Sequence, residues 1–307
     1  MKHKSGDLPM TFLVNLRREV VTYFLCICVK NDPSLKARVF LVFEIKRWRD
    51  KMKKGILIVS FGTTYERTRK LCIEGVESRI KDEFEDCDVR RAFTSQIVIN
   101  ILKKRDKLFV DNVAEALTKM KEDGFDEIYV QSLHIIPGHE YEKMLKQISD
   151  FKESSSINTK VGKPLLSDER DYERVVEALD IGKVRDDEAV VFMGHGTDHV
   201  SDESYSILED KLREKNIKNT YIATVEGSKT IMDIVPILKE KNIKKVILKP
   251  FMLVAGDHAT NDMAGDEDDS WKNILLSEGF EVETCLNGLG ENEDVQEIFV
   301  SHLKDVI

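Results

Sequence analysis

The sequence predicts an α/β protein built from two duplicated domains. Each is a mostly parallel sheet with helices on both faces, and the active-site cleft lies between them. Three observations predict this. Short apolar runs alternate with helical periods from Gly55 onward, the pattern of parallel strands joined by crossover helices. The order of elements occurs twice. Two pairs of segments also align without gaps: 120–130 over 238–248, at an offset of 118, and 60–63 over 194–197, at an offset of 134.

The elements follow in order. Gly55–Ser60 is a continuous apolar run, as a strand buried on both faces requires. Ile73, Val76 and Ile80 mark a helix. Val89–Phe93 is a second strand. Val113, Leu117 and Met120 share one helical face, and Gly124 stands where a helix stop is expected. Ile128–Leu133 is a third strand, Tyr141, Leu145 and Ile148 mark a helix, and Thr159–Val161 begins a short fourth strand. The second half repeats the scheme with strands at Val190–Met193, Tyr221–Val225, Val246–Met252 and Val282–Cys285. Its helices carry Tyr205, Leu208 and Leu212, then Ile231, Ile234 and Leu238, and finally Val295, Ile298 and Phe299. Pro236 inside the second of these predicts a kink or a displaced start. The expected organisation is an extension over 1–51, a domain over 52–182 and a domain over 183–307, with the final helix free to pack back on the first domain.

Residues 1–54 hold 13 Lys/Arg against 5 Asp/Glu, a net +8, which leaves −17 on the remainder of a chain whose total is −9. So acidic a body excludes general nucleic-acid binding, which needs clustered cations. The first fifty residues contain two apolar bursts, Val20–Val29 and Val39–Ile45. Neither is long enough to span a bilayer, and no small-residue cleavage site follows the first. The expectation is no membrane span. Met52 runs straight into the first strand, so residues 1–51 are expected to be dispensable. Five cysteines, an odd number with no CxxC pair, argue against a disulfide framework and for a reducing, cytoplasmic setting. Cys26 and Cys28 alone are weak evidence for metal.

In open parallel sheets ligands bind beyond the carboxyl ends of the strands. Three strands of the second half end there in ligand-type residues: His195 in Gly194-His195-Gly196, Glu226 in Val225-Glu226-Gly227, and His258 in Gly256-Asp257-His258. Phe61, Phe93 and Glu140 hold the corresponding places in the first half. Two imidazoles and a carboxylate suit Co²⁺, Fe²⁺, Ni²⁺ or Zn²⁺ with positions left open for substrate. The contrast between the halves argues that chemistry, rather than scaffold, selected those residues. His134 and His139 flank the equivalent loop of the first half and either line the cleft or steady the loop. His199 is read as exposed near a helix start. The acidic run 266–269 and the basic run 103–105 are read as solvated faces.

Several segments in one order resemble the anaerobic cobalt chelatases of cobalamin biosynthesis, which act on sirohydrochlorin. They are Val59-Ser60-Phe61-Gly62-Thr63, Arg91-Ala92-Phe93-Thr94-Ser95, Gln131-Ser132-Leu133-His134-Ile135-Ile136, Val191-Phe192-Met193-Gly194-His195-Gly196, and 252–259 with Asn261-Asp262-Met263. Trp271 and Gly288-Leu289-Gly290-Glu291-Asn292 extend the likeness, which runs from about Lys53 to the C-terminus. The resemblance implies a two-domain chelatase-like fold, a metal-chelatase (lyase) activity, and His195, Glu226 and His258 as metal ligands, with His195 also the catalytic proton acceptor. It implies Co²⁺ as substrate metal, with Fe²⁺, Ni²⁺ or Zn²⁺ as alternatives, and a tetrapyrrole partner. Phe61, Phe93, His134 and Glu140 are the expected substrate contacts. Residues 1–51 depart from the pattern, so the periplasmic signal and the intersubunit haem of some relatives are not carried over. Homo-oligomerisation stays open. The competing readings are an iron or nickel chelatase and a non-catalytic carrier of metal or tetrapyrrole.

Overall fold

A computed structural model describes residues 52–307, and Lys53–Ile307 forms one compact unit. The expectations for Cys26, Cys28 and the dispensability of residues 1–51 lie outside the described residues.

The apolar run predicted at Gly55 is β1 (Lys54–Ser60), buried from Gly55 to Ser60. It is the centre of a parallel sheet with β2 (Asp88–Phe93), β3 (Asp111–Asn112), β4 (Glu127–Ser132) and β5 (Asn158–Gly162), in the order β3-β2-β1-β4-β5. The second sheet is also parallel, in the order β7-β6-β8-β9. Its central strand β6 (Glu188–Gly194) is buried throughout and is flanked by β7 (Thr220–Thr224) and β8 (Lys245–Pro250), with β9 (Glu281–Thr284) at the edge. Residues buried on both faces explain why neither central strand shows apolar–polar alternation. The two-residue β3 has no such signature and escapes sequence reading.

Two helical expectations are refined. On the helix His139–Glu153, Met144, Ile148 and Phe151 are buried while Leu145 is exposed, so the core-facing stripe runs through 144 and not 145. The helix Ile231–Glu240 begins five residues before Pro236. The Asp233 carboxylate accepts from the Thr230 N–H at 2.8 Å and its hydroxyl at 2.9 Å, which anchors that start ahead of the proline.

The backbone repeats one hydrogen-bond register in both halves. The Leu133 N–H donates to Val59 as the Phe251 N–H does to Met193, each at 2.7 Å. Thr94 N–H to Ser60 O (2.9 Å) and Ser95 N–H to Phe61 O (3.2 Å) match Val225 N–H to Gly194 O (3.1 Å) and Glu226 N–H to His195 O (2.8 Å). His195 therefore corresponds to Phe61. Glu226 corresponds to Ser95, and the assignment of Phe93 as its counterpart is corrected: Phe93 pairs in register with Ser60 as Thr224 does with Gly194.

One apolar cluster runs through both halves, joining Ile56 and Ile58 to Phe192 and Phe251 and to the last helix through Val295, Ile298 and Phe299. Each fully buried aromatic contributes on the order of 1.5–3 kcal/mol. The last helix, Glu293–Lys304, follows the second sheet yet packs against the first half. Its start is capped by Asn292, which accepts from the Asp294 and Val295 N–H groups. Arg79 meets Glu297 at 2.7 Å and Lys304 meets Glu83 at 2.6 Å, while His302 buries its ring against Asp171 at 2.8 Å.

Candidate metal centre

β6, β7 and β8 are neighbours in one sheet, so their carboxyl ends open on one side of it. The loops leaving those ends carry His195, Glu226 and His258. One donor atom from each lies within 4.8 Å of the other two, a spacing a single divalent ion can bridge. His195 Nδ1 is 3.8 Å from Glu226 Oε2, and the His195 and His258 rings meet edge to face with centroids 4.7 Å apart. About half of the His195 side chain and more than half of that of Glu226 are exposed, so the donors face an open space and not the core.

Hydrogen bonds set the tautomers. Nδ1 of His195 lies 2.9 Å from the Gly196 carbonyl, an acceptor, so Nδ1 carries the hydrogen and Nε2 keeps its lone pair. Nδ1 of His258 lies 2.6 Å from Asp262 Oδ2, which leaves its Nε2 free in the same way. A carboxylate behind an imidazole fixes ring orientation and raises ligand basicity. Asp262 was missed by sequence reading, although its i+4 placement after His258 on a helical turn is a usable signal.

Gly196 allows the first two loops to meet. Its φ is +80°, a left-handed conformation, and a Cβ there would stand 2.2 Å from the Gly227 nitrogen, beside Glu226. Gly62 is the same device in the first half, at φ +94°. Gly196→Ala is expected to lower the free energy of unfolding by about 1–3 kcal/mol through strain alone, measured by denaturant titration; unchanged stability would show that the loop relaxes without loss.

The centre forms one wall of a cleft of about 720 Å³, within the range of small-molecule sites. Phe61, His134 and Glu140 line the same cleft from the first half. Phe61 is about half exposed. Phe93 does not line it: its ring is fully buried against Gly62, so its place among the expected substrate contacts is not supported by position. Lys143 donates to the Thr94 carbonyl at 2.6 Å and pairs with Glu140 at 3.3 Å. From the basic run, Arg105 donates to the carbonyl of the cleft-lining Thr64 at 2.5 Å. Of the acidic run, Asp266 pairs with Lys272 at 2.8 Å.

Burial, aided by the charge of Lys143, pushes the His134 imidazole down to about 4. It sits with Nδ1 2.8 Å from Ser132 Oγ and Nε2 3.4 Å from Thr94 Oγ1. The ring is thus neutral at physiological pH and offers the cleft a dipole without a charge. Its folded value lies below the unfolded value of ~6.5. The stability it contributes is therefore complete above about 6.5 and is lost as pH falls toward 4. NMR titration of the His134 ring is expected to give a midpoint near 4; a midpoint near 6.5 would contradict its desolvation.

Side chains from both halves also meet across the cleft. The Tyr65 hydroxyl donates to Asp257 Oδ1 at 2.9 Å, and that bond, with burial, raises the Tyr65 phenol above its ordinary value. His139 Nε2 lies 2.8 Å from Asp198 and His199 Nε2 3.3 Å from Glu142, with the two rings 4.9 Å apart. His199 is no free ligand: its Nδ1 accepts the Ser201 N–H at 3.1 Å and caps a short turn. None of these pairings is written in local sequence.

With this geometry in place, comparison with known proteins gives a consistent result. Residues 54–307 match the family model described as cobalt chelatase (CbiK). The sirohydrochlorin cobaltochelatase of Salmonella typhimurium is 37% identical over 258 residues, covering 83% of this chain and 97% of that protein. The sirohydrochlorin cobaltochelatase CbiKC of Nitratidesulfovibrio vulgaris is 38% identical over 256 residues, covering 82% and 89%. Among solved structures, SirB from Bacillus subtilis with Fe³⁺ shares the fold at a TM-score of 0.58 and 18% identity, over 83% of this chain and 95% of that one. Matched over most of its length by the family model and by two relatives above one-third identity, the chain belongs to the cobalt chelatase (CbiK) family.

Proposed function

We propose that this protein is a sirohydrochlorin cobaltochelatase, inserting Co²⁺ into a sirohydrochlorin-type tetrapyrrole in anaerobic cobalamin biosynthesis. The observation that carries the reading is the convergence of His195, Glu226 and His258 within 4.8 Å on the wall of the cleft. The names of the two relatives support the same substrate and metal. The working unit is proposed to be residues 52–182 and 183–307 acting together from the two sides of the cleft, in the cytoplasm. No described helix is long and apolar enough to cross a membrane.

Insertion exchanges two pyrrole N–H bonds for metal–nitrogen bonds and releases two protons. Co²⁺ is held as substrate by Nε2 of His195, Nε2 of His258 and the Glu226 carboxylate. Imidazole and carboxylate donors accept Co²⁺, Fe²⁺, Ni²⁺ and Zn²⁺ alike, so availability and geometry choose among them. The ion beside the ring stabilises the developing nitrogen anion. As the metal passes to the ring, the freed Nε2 of His195 takes the two pyrrole protons in turn and hands each to solvent, to which the side chain is open. Phe61 supplies an apolar face for the macrocycle, and neutral His134 adds a polar contact without repelling the metal.

The test is an absorbance assay with sirohydrochlorin and Co²⁺, Fe²⁺, Ni²⁺ or Zn²⁺ supplied separately. Multiple turnover with Co²⁺ is expected. A signal that stops at about one equivalent of product per protein with every metal would identify a carrier and defeat the enzyme reading.

A further inference from the structure

Asp202 closes the segment that leaves β6 and carries His195, and its carboxylate reaches both back to that segment and across to the loop of Glu226. Its Oδ1 accepts from the Thr197 N–H at 3.2 Å. Its Oδ2 accepts from the Ser228 N–H at 2.8 Å and from the Ser228 hydroxyl at 2.7 Å. Thr197 stands two residues after His195, and Ser228 two residues after Glu226. One oxygen of a single rigid carboxylate is thus assigned to the loop of each ligand, at the same offset. The glycine between Glu226 and Ser228 is pressed from both sides. A Cβ on Gly227 would stand 2.3 Å from Asp202 Oδ1, and a Cβ on Gly196 would stand 2.2 Å from the Gly227 nitrogen. The Glu226 loop is therefore clamped between Gly196, near the start of the His195 loop, and Asp202, at its end. On its other side Asp202 is set by the turn Val200–Asp202, where its N–H donates to the His199 carbonyl at 3.0 Å.

We infer that Asp202 is a positioning residue that fixes the separation of His195 and Glu226, and through it the affinity of the centre for its divalent ion. This rests on the assignment of those two residues as metal ligands. The physical reason is that both loops present backbone N–H groups which a carboxylate alone can accept together. Without it the loops lose their common anchor, and the ligands lose their preset spacing. Supporting groups of this kind are worth about 10- to 100-fold in metal affinity.

Asp202→Asn is the sharpest probe. The amide keeps one acceptor for one loop but turns an NH₂ donor toward the N–H groups of the other. The measurement is Co²⁺ binding by calorimetry to the full chain, counting only the component that His195→Ala/His258→Ala removes. Asp202→Asn is expected to weaken that component about 10- to 100-fold, while the KM for sirohydrochlorin stays within about twofold. Ser228→Ala, which deletes one of the three hydrogen bonds and no backbone contact, is expected to weaken it in the same direction by less. A general structural role would instead lower the melting temperature and move both substrates' KM together, and that outcome overturns the inference. Wild-type Co²⁺ affinity in Asp202→Asn, with affinity lost in His195→Ala, overturns the role of Asp202 alone. Unchanged affinity in His195→Ala/His258→Ala overturns the ligand assignment and this inference with it.

Discussion

His195→Ala is expected to lower the turnover number for metal insertion by about 10²- to 10⁴-fold, the usual worth of a positioned proton acceptor. The side chain is half exposed, and among the described residues it meets the Gly196 carbonyl, Glu226 and the His258 ring. Its removal leaves no cavity in the core, so the melting temperature should change little. Steady-state kinetics with sirohydrochlorin and Co²⁺, beside a thermal melt, separates the two effects. Retention of most of the turnover would take His195 out of the proton-transfer step. Glu226→Ala is expected to act differently, raising the Co²⁺ concentration needed for half-maximal rate more than it lowers the maximal rate. That carboxylate is proposed to hold the ion and not to move the proton. The two variants together distinguish a ligand from a base.

The second large effect concerns the attachment of the last helix. His302 and Asp171 are both almost completely buried, 2.8 Å apart. His302 Nδ1 also lies 3.2 Å from the Lys163 carbonyl, and Lys163 Nζ reaches Asp171 at 3.3 Å. Burial pushes the Asp171 carboxyl up, but the hydrogen bond and charge of His302, with Lys163, outweigh it and hold that carboxyl below the ordinary range. Removing one partner of such a pair leaves a charge desolvated. His302→Leu is therefore expected to cost about 3 kcal/mol, a fall of about 6–12 °C in melting temperature for a unit of this size. The pH dependence follows from the sign of the shift. A carboxyl depressed on folding contributes its stability above the unfolded value of ~3.9 and loses it as pH falls through the lower folded value. The gap between wild type and His302→Leu should be widest above about pH 4 and should narrow in acid. Equal melting temperatures at pH 7 would show that the pair contributes nothing net. His302 looks peripheral in the sequence, close to the chain end. Its importance arises because the last helix crosses from the second sheet to the first.

The candidate metal centre was legible because a parallel sheet puts ligand-type residues at strand ends and each of the three strands ends visibly. The substrate wall was less so. Phe93 and Phe61 read alike as aromatic residues at strand ends. Register separates them: Phe61 follows the last residue of β1 and turns into the cleft, while Phe93 is the last residue of β2 and turns into the core. A shift of one residue along a strand reverses the face, and strand ends are the boundary a sequence defines least well. Leu145 and Met144 show the same limit on a helix, where one position is about 100° of rotation.

By itself the sequence determined the order of the eight longer strands, their parallel arrangement in two repeats, and the candidate triad His195, Glu226 and His258. Those features depend on local apolar runs and on short segments at their ends. Tertiary structure alone decided which side chains support that triad. Asp202 spans two loops, Asp262 fixes one imidazole, and the pairs His139–Asp198, His199–Glu142 and Tyr65–Asp257 join the two halves. Except for the Asp262 contact and the Asp202–Thr197 bond, each depends on the angle and distance at which separate loops meet. Packing of the shared core sets that geometry, and no periodicity or spacing along the chain encodes it.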